Sequence, residues 1–205
     1  MTVPEQHLTE ITGVILAGGQ SSRMGQNKAL MSLGGQCLIE RVAQVLRSVF
    51  AHCLMVTNTP DLYAELGLPM VGDVWPGKGS LGGIYSALYH STTPYCLVVA
   101  CDMPFLHAAM LRYLSAQRAG YDVIIPHVLG ELQTLHALYH TTCLDAITPR
   151  LEANRLRIVD FFPDVRMRTV TAAELRPFDP ELRAFQNLNT PEEFAAAAAR
   201  LRHEA

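Results

Sequence analysis

Five short runs of almost unbroken apolar, largely β-branched residues constrain this 205-residue chain more than any other feature. They span Thr12–Gly18, Cys53–Asn58, Leu68–Asp73, Tyr95–Asp102 and Tyr121–His127. A strand with one face in water alternates apolar and polar residues. These runs do not, so each reads as a strand covered on both faces. Segments with helical periodicity lie between them. Over Leu38–Val49, the side chains of Ile39, Val42, Val45, Leu46 and Val49 fall on one stripe. Residues 81–91 and 106–120 follow the same pattern, the second closing at Gly120 as a C-cap. Doubly covered strands alternating with helices specify an α/β fold with a largely parallel sheet.

The last third is less regular. Leu132–His140 reads as a strand, and residues 143–152 as a helix interrupted at Pro149. Val165–Ala172 alternates as a strand does. Residues 189–205 read as a closing helix, with Thr190 as N-cap, Pro191 at the first helical position and Glu193 completing a capping box. The length suits a single domain, residues 1–205.

Charge and cysteine content narrow the functional classes. The formal net charge is -3, with 16 Lys+Arg against 19 Asp+Glu, which argues against a nucleic-acid partner. Five cysteines (Cys37, Cys53, Cys96, Cys101 and Cys143) occur without a Cys-x-x-Cys pair. They read as reduced thiols of a cytoplasmic protein rather than a disulfide framework or zinc knuckle. The N-terminal residues lack the pattern of a signal peptide, and no apolar run is long enough to span a membrane. His136 and His140 are four apart but have no intervening glutamate of a metalloprotease helix, and no Ser-His-Asp set is recognisable.

The chemistry concentrates in "VILAGGQSSRMGQNK", Val14–Lys28. In an open α/β sheet ligands bind beyond the carboxyl ends of the strands, where this loop begins. Gly18 and Gly19 carry no side chain to hold an anion away from the backbone N–H groups. Arg23 offers a planar fork and Lys28 a point charge for phosphate oxygens. The spacing is neither that of a P-loop nor that of a dinucleotide fingerprint. A mobile surface loop with two solvated cations is the plain alternative. Asp102 leaves the fourth run at its carboxyl end, where a carboxylate needs a partner; a hard cation suits it, and so does a turn or helix N-cap before Pro104. Asp73 reads as a site residue or as a turn residue before Trp75-Pro76. "GKGSLGGIYSAL", Gly77–Leu88, reads as a second glycine-rich loop entering a helix, with Lys78 an added cation or a solvated one.

The loop resembles the signature L-A-G-G-x-S-x-R-M-G-x-x-K of nucleotidyltransferases with a Rossmann-like domain. Together with "VGDVWPGKGSLGGIYSAL", "VVACDMPFL" and "NLNTPEEF", the chain is most similar, from Ile11 to about Leu201, to the molybdenum cofactor guanylyltransferases. That resemblance implies a three-layer α/β/α sandwich of the nucleotide-diphospho-sugar transferase type. It also implies transfer of GMP from GTP to the terminal phosphate of molybdopterin, with pyrophosphate released. By position it assigns Leu16, Ala17, Gly18 and Gly19 to the nucleotide, with Lys28 on its phosphates and Arg23 in the loop. Asn58 or its neighbour Thr57 falls to the base, Asp73 to the nucleotide site, and Gly82 to the segment framing the base. Asp102 matches the residue that binds Mg²⁺, for which Mn²⁺ is a substitute, and Asn187 and Asn189 match paired asparagines at the reaction centre. Molybdenum-insertion and molybdoenzyme-maturation proteins are the implied transient partners.

Two departures stand out: Asn27, where the family commonly has aspartate, and Thr134, where it commonly has proline. The resemblance places the second in a segment toward the pterin, so substrate choice is the point it touches. The other readings are a cytidylyltransferase or related enzyme acting on molybdopterin or a sugar or polyol phosphate, and a non-catalytic GTP-binding protein. Gly18-Gly19 favours guanine over the L-A-A-G of cytidylyl members. Retention of Lys28 and Asp102 favours an enzyme.

Overall fold

A computed structural model describes residues 6–18, 27–188 and 190–204. In chain order the elements are β1 (Leu8–Leu16), β2 (Ser32–Leu33), β3 (Gln36–Cys37), α1 (Leu38–Val49), β4 (Phe50–Val56), β5 (Met70–Val71), α2 (Gly79–His90), β6 (Tyr95–Ala100), α3 (Ala108–Ala116), β7 (Val123–Val128), β8 (Glu131–Leu132), β9 (His136–His140), α4 (Cys143–Glu152), β10 (Met167–Thr171), α5 (Ala172–Leu175) and α6 (Pro191–Glu204). The main sheet runs β10-β7-β9-β6-β1-β4-β5, with β8 paired to β7. Strand β1 pairs in parallel with β4 and β6, β4 with β5, and β7 with β10. Only β9 and the two-residue β8 run against them.

The continuous apolar runs have the predicted cause. On β1, Ile11 and Ile15 enter a core cluster with Ile39, Val42 and Leu46 of α1 and Leu111 and Leu114 of α3. Val14 turns the other way, to Leu81, Ile84 and Leu88 of α2 and Ile147 and Leu151 of α4. Both faces of the sheet are therefore dry, and helices cover them in a three-layer α/β arrangement.

Several elements differ from the sequence reading. The run at Leu68–Asp73 yields only the two-residue strand β5. Leu132–His140 is not one strand. The chain reverses between β8 and β9, where His136 N–H donates to Gln133 O and Thr134 N–H to Leu132 O. Helix α3 ends at Ala116, ahead of Gly120, whose φ of 83° serves the turn that follows. Pro149 sits inside α4 without ending it. The capping box of α6 is as predicted: Thr190 N–H donates to the Glu193 carboxylate at 3.0 Å, and Glu193 N–H to the Thr190 hydroxyl at 3.2 Å.

A third, smaller cluster joins distant parts of the chain. Leu33 and Leu38 beside the β2–β3 hairpin pack with Leu188, Phe194 and Ala197. It lies under the segment that leads into α6 and ties that segment to the hairpin following Lys28.

Candidate active site at the carboxyl ends of four strands

Register brings the separate motifs to one edge. Leu16 is opposite Val56 on one side and Ala100 on the other, and Val56 is opposite Val71. The next residues continue the pairing: Ala17 N–H donates to Val56 O and Thr57 N–H to Val71 O, both at 2.9 Å. Ala17-Gly18, Thr57-Asn58, Gly72-Asp73 and Cys101-Asp102 therefore leave the sheet at the same rim. The chain passes from β1 outward to β4 and β5, then returns to place β6 on the other side of β1. That reversal leaves a crevice at the strand ends, the usual ligand position of such sheets.

Asn58 and Asp73 clasp each other. Asp73 N–H donates to Asn58 Oδ1 at 2.9 Å, and Asn58 Nδ2 donates to Asp73 Oδ2 at 2.8 Å. The pair of bonds fixes which end of the amide is nitrogen. Thr57 is buried and its hydroxyl accepts from Thr59 N–H at 3.2 Å, whereas Asn58 is exposed. Of the two residues the sequence left open, Asn58 is the one that faces outward.

Asp102 follows β6, half-buried. Burial pushes its carboxyl up from the ordinary carboxylate range, and its own backbone amide and the Lys28 ammonium hold it down. Lys28 opens a 3-10 turn, Lys28–Leu30. Asn27 caps that turn, accepting from Ala29 N–H at 3.1 Å, and donates to the Tyr63 hydroxyl at 2.8 Å. Asn187 reaches the rim from the far end of the chain, because Leu188 N–H donates to Asp102 O at 3.2 Å. Gly19, Arg23 and Asn189 lie outside the described residues.

The glycines divide into two kinds. A Cβ added at Gly18 meets nothing within 4 Å among the described residues, so the protein's own packing gives no reason for glycine there. Gly82 and Gly83 are buried inside α2 rather than in a loop. A Cβ at Gly82 would lie 2.8 Å from Lys78 Cβ and 3.2 Å from Trp75 O; one at Gly83 would lie 3.2 Å from Leu16 Cδ1. Gly83 lets α2 pack against Leu16 at the end of β1, and Gly82 makes room for Trp75 and Lys78. Gly77, ahead of α2, and Gly79, its first residue, have φ of 76° and 58°. Lys78 donates to Asn154 Oδ1 at 3.1 Å, so it is not simply solvated.

The turn 133–135 stands against the same rim, since Ala100 N–H donates to Leu135 O at 3.2 Å. His136 behind it is fully buried and packs against Phe185, ring centres 4.6 Å apart and the rings tilted by 37°. Its ring nitrogens have no hydrogen-bond partner among the described residues. Burial lowers its pKa to about 4, opposed by the nearby Ala184 backbone. Two neighbours of the rim carried no sequence signal: Tyr63, whose hydroxyl accepts from Asn27, and Ser86, whose hydroxyl accepts from Val74 N–H at 2.9 Å.

Among the described residues there is no helix long and apolar enough to cross a membrane and no cluster of three metal-binding side chains. All five cysteines are free.

Comparison with known proteins agrees with this geometry. Residues 13–162 match the MobA-like NTP transferase domain. A protein of Pelotomaculum thermopropionicum named "Probable molybdenum cofactor guanylyltransferase" is 43% identical over 190 residues, covering 93% of each chain. The "Molybdenum cofactor guanylyltransferase" of Desulfosudis oleivorans is 35% identical over 194 residues, covering 94% of this chain and 96% of its own. Among solved structures, molybdopterin-guanine dinucleotide biosynthesis protein A from Archaeoglobus fulgidus superposes with a TM-score of 0.83 at 27% identity, over 94% of this chain and 99% of the other.

Proposed function

Because the chain belongs to the MobA-like NTP transferase family, with the molybdenum cofactor guanylyltransferases as its relatives, we propose that it transfers the GMP unit of GTP to the terminal phosphate of molybdopterin. The observation that carries this reading is the shared rim. Four strand ends in register bring Gly18, Asn58, Asp73 and Asp102 together, with Lys28 close enough to act on the Asp102 carboxyl.

Position supports a task for each described residue, whereas Gly19, Arg23 and Asn189 take theirs from the family resemblance alone. Leu16, Ala17 and Gly18 form the floor on which the nucleoside lies, and no described residue comes within 4 Å of a Cβ built on Gly18. Asn58 and Asp73 take the nucleoside's polar edge, and Gly82, against Trp75 and Lys78, belongs to the segment that frames the base. Lys28 neutralises the triphosphate, together with Arg23 from the signature loop. The family resemblance gives Gly19 to the nucleotide as well. Asn187 and Asn189 orient the acceptor phosphate at the reaction centre.

An acceptor phosphate oxygen attacks the α-phosphorus in line. Its bond to phosphorus forms as the bond to the bridging oxygen breaks, and pyrophosphate leaves. The attacking oxygen is already ionised near neutral pH, so the site needs no general base. Position and charge neutralisation carry the rate.

A divalent metal fits Asp102. Magnesium commonly takes one or two carboxylates and completes its shell with water and phosphate oxygens. A half-buried carboxylate beside a lysine matches that habit. Mg²⁺ bound there, or Mn²⁺ in its place, would supply further neutralisation of the triphosphate. Free thiols fit a reducing, cytoplasmic setting, where molybdenum-insertion and molybdoenzyme-maturation proteins would be the transient partners.

The test compares GTP with CTP as donor to molybdopterin in the presence of Mg²⁺. Pyrophosphate release with GTP and little with CTP is expected. A preference for CTP would move the assignment to a cytidylyl transfer.

A further inference from the structure

Ser86 lies inside α2, fully buried, four residues beyond Gly82. Its hydroxyl is committed in both directions. It donates to Gly82 O at 2.7 Å and accepts from Val74 N–H at 2.9 Å. The second bond leaves the helix and holds the residue that directly follows Asp73. Two consecutive amides are therefore pinned by side chains from different elements. Asp73 N–H is held by Asn58, at the end of β4, and Val74 N–H by Ser86, in α2.

The first pin also engages the Asp73 carboxylate, through Asn58 Nδ2. It cannot set the direction of the carboxylate alone, because both of its bonds come from one exposed side chain. The second pin comes from the buried body of α2. Alanine at 86 would remove the acceptor for Val74 N–H and free the backbone to rotate about residue 74. No sequence motif points to this serine, and in the helix it would pass for one that merely bonds back to its own turn.

We propose that Ser86 is a positioning residue for nucleotide binding: through Val74 it fixes the direction in which Asp73 presents its carboxylate to the nucleoside. The inference rests on the reading of Asp73 as a nucleotide-site residue. The acceptor side of the rim is not involved, so the effect is confined to the donor substrate.

The test measures GTP dissociation constants by calorimetry for wild type, Ser86→Ala, Asp73→Ala and the double variant. Steady-state rates at saturating GTP are measured alongside. A hydrogen bond of ordinary net strength predicts a Kd roughly fivefold higher for Ser86→Ala. The rate at saturating GTP and the KM for acceptor should be unchanged. The double variant should bind GTP no more weakly than Asp73→Ala, since Ser86 acts through Asp73. Ser86→Thr keeps the hydroxyl and should recover most of the affinity. Should Ser86→Ala not fold, Ser86→Cys keeps the volume while weakening the acceptor, and the same Kd rise is expected of it. Wild-type affinity in Ser86→Ala or Ser86→Cys, with Asp73→Ala impaired, overturns the role of Ser86 alone. Losses that add in the double variant do the same. Wild-type affinity in Asp73→Ala overturns the role of Asp73 and this inference with it.

Discussion

The backbone carbonyl of Asp102 accepts a hydrogen bond from Leu188 N–H at 3.2 Å. The two residues are joined across most of the sheet's sequence, and the bond sets Asn187 beside the carboxylate that leaves β6. Leu188 is itself fully buried, in the cluster with Leu33, Leu38 and Phe194. The Asn187 side of the rim is thus held by a small core of its own, separate from the two that hold the sheet.

That arrangement makes Leu188 a test of position apart from chemistry. Leu188→Ala removes a buried side chain and should destabilise the protein by about 2–4 kcal/mol, read from denaturant unfolding. Turnover should fall further than stability explains, while GTP affinity changes little, because the nucleoside side of the rim does not depend on this cluster. Unchanged turnover in folded Leu188→Ala would show that Asn187 needs no such support.

Asn58 offers the complementary experiment on the nucleoside side. Asn58→Asp places a carboxylate against that of Asp73 and removes the Nδ2 donor. A GTP Kd higher by about tenfold or more is expected from the lost bond and the added repulsion. Asn58→Ala should show a smaller loss. Titration calorimetry distinguishes them, and equal affinities in all three proteins would exclude a nucleotide role for this pair.

Acid stability should report the buried His136. Its pKa in the folded protein is about 4, below the ordinary value of 6.5, so the unfolded chain binds the proton more tightly. The folded state keeps its full stability above pH 6.5 and loses it as pH falls toward 4, by up to about 3 kcal/mol. Asp122 and Glu174, both lowered to about 2 by hydrogen bonds, contribute losses only below their ordinary values of 3.8 and 4.5. Between pH 6.5 and 5 the slope should therefore flatten in His136→Phe, which retains a ring against Phe185. Unfolding free energies measured across that range check it; an unchanged slope would assign the dependence to other groups.

Much of this was readable from the residues alone, for identifiable reasons. Strands dry on both faces leave continuous apolar runs, and Thr190 and Glu193 carry their capping box in the local sequence. The rim followed from the rule that ligands sit at strand carboxyl ends. What escaped depends on contacts across the fold. The β8–β9 reversal at Gln133-Thr134-Leu135 contains neither glycine nor proline, so an apolar run conceals it. Gly82 and Gly83 read as loop residues until Leu16, Lys78 and Trp75 are seen against them. Asn58 could be separated from Thr57 only once the pairing of β4 with β5 buried one and exposed the other. Ser86 carries no sequence mark, since its partner Val74 lies in a different element.

The central claim is that Asp102 serves the transfer step at a rim built for GTP. The most direct measurement is pyrophosphate release from GTP with Mg²⁺ and molybdopterin by Asp102→Ala, with its folding verified by thermal unfolding. Loss of turnover by at least a hundredfold in a folded protein is predicted, alongside full activity of wild type. Wild-type turnover in the folded variant would contradict it.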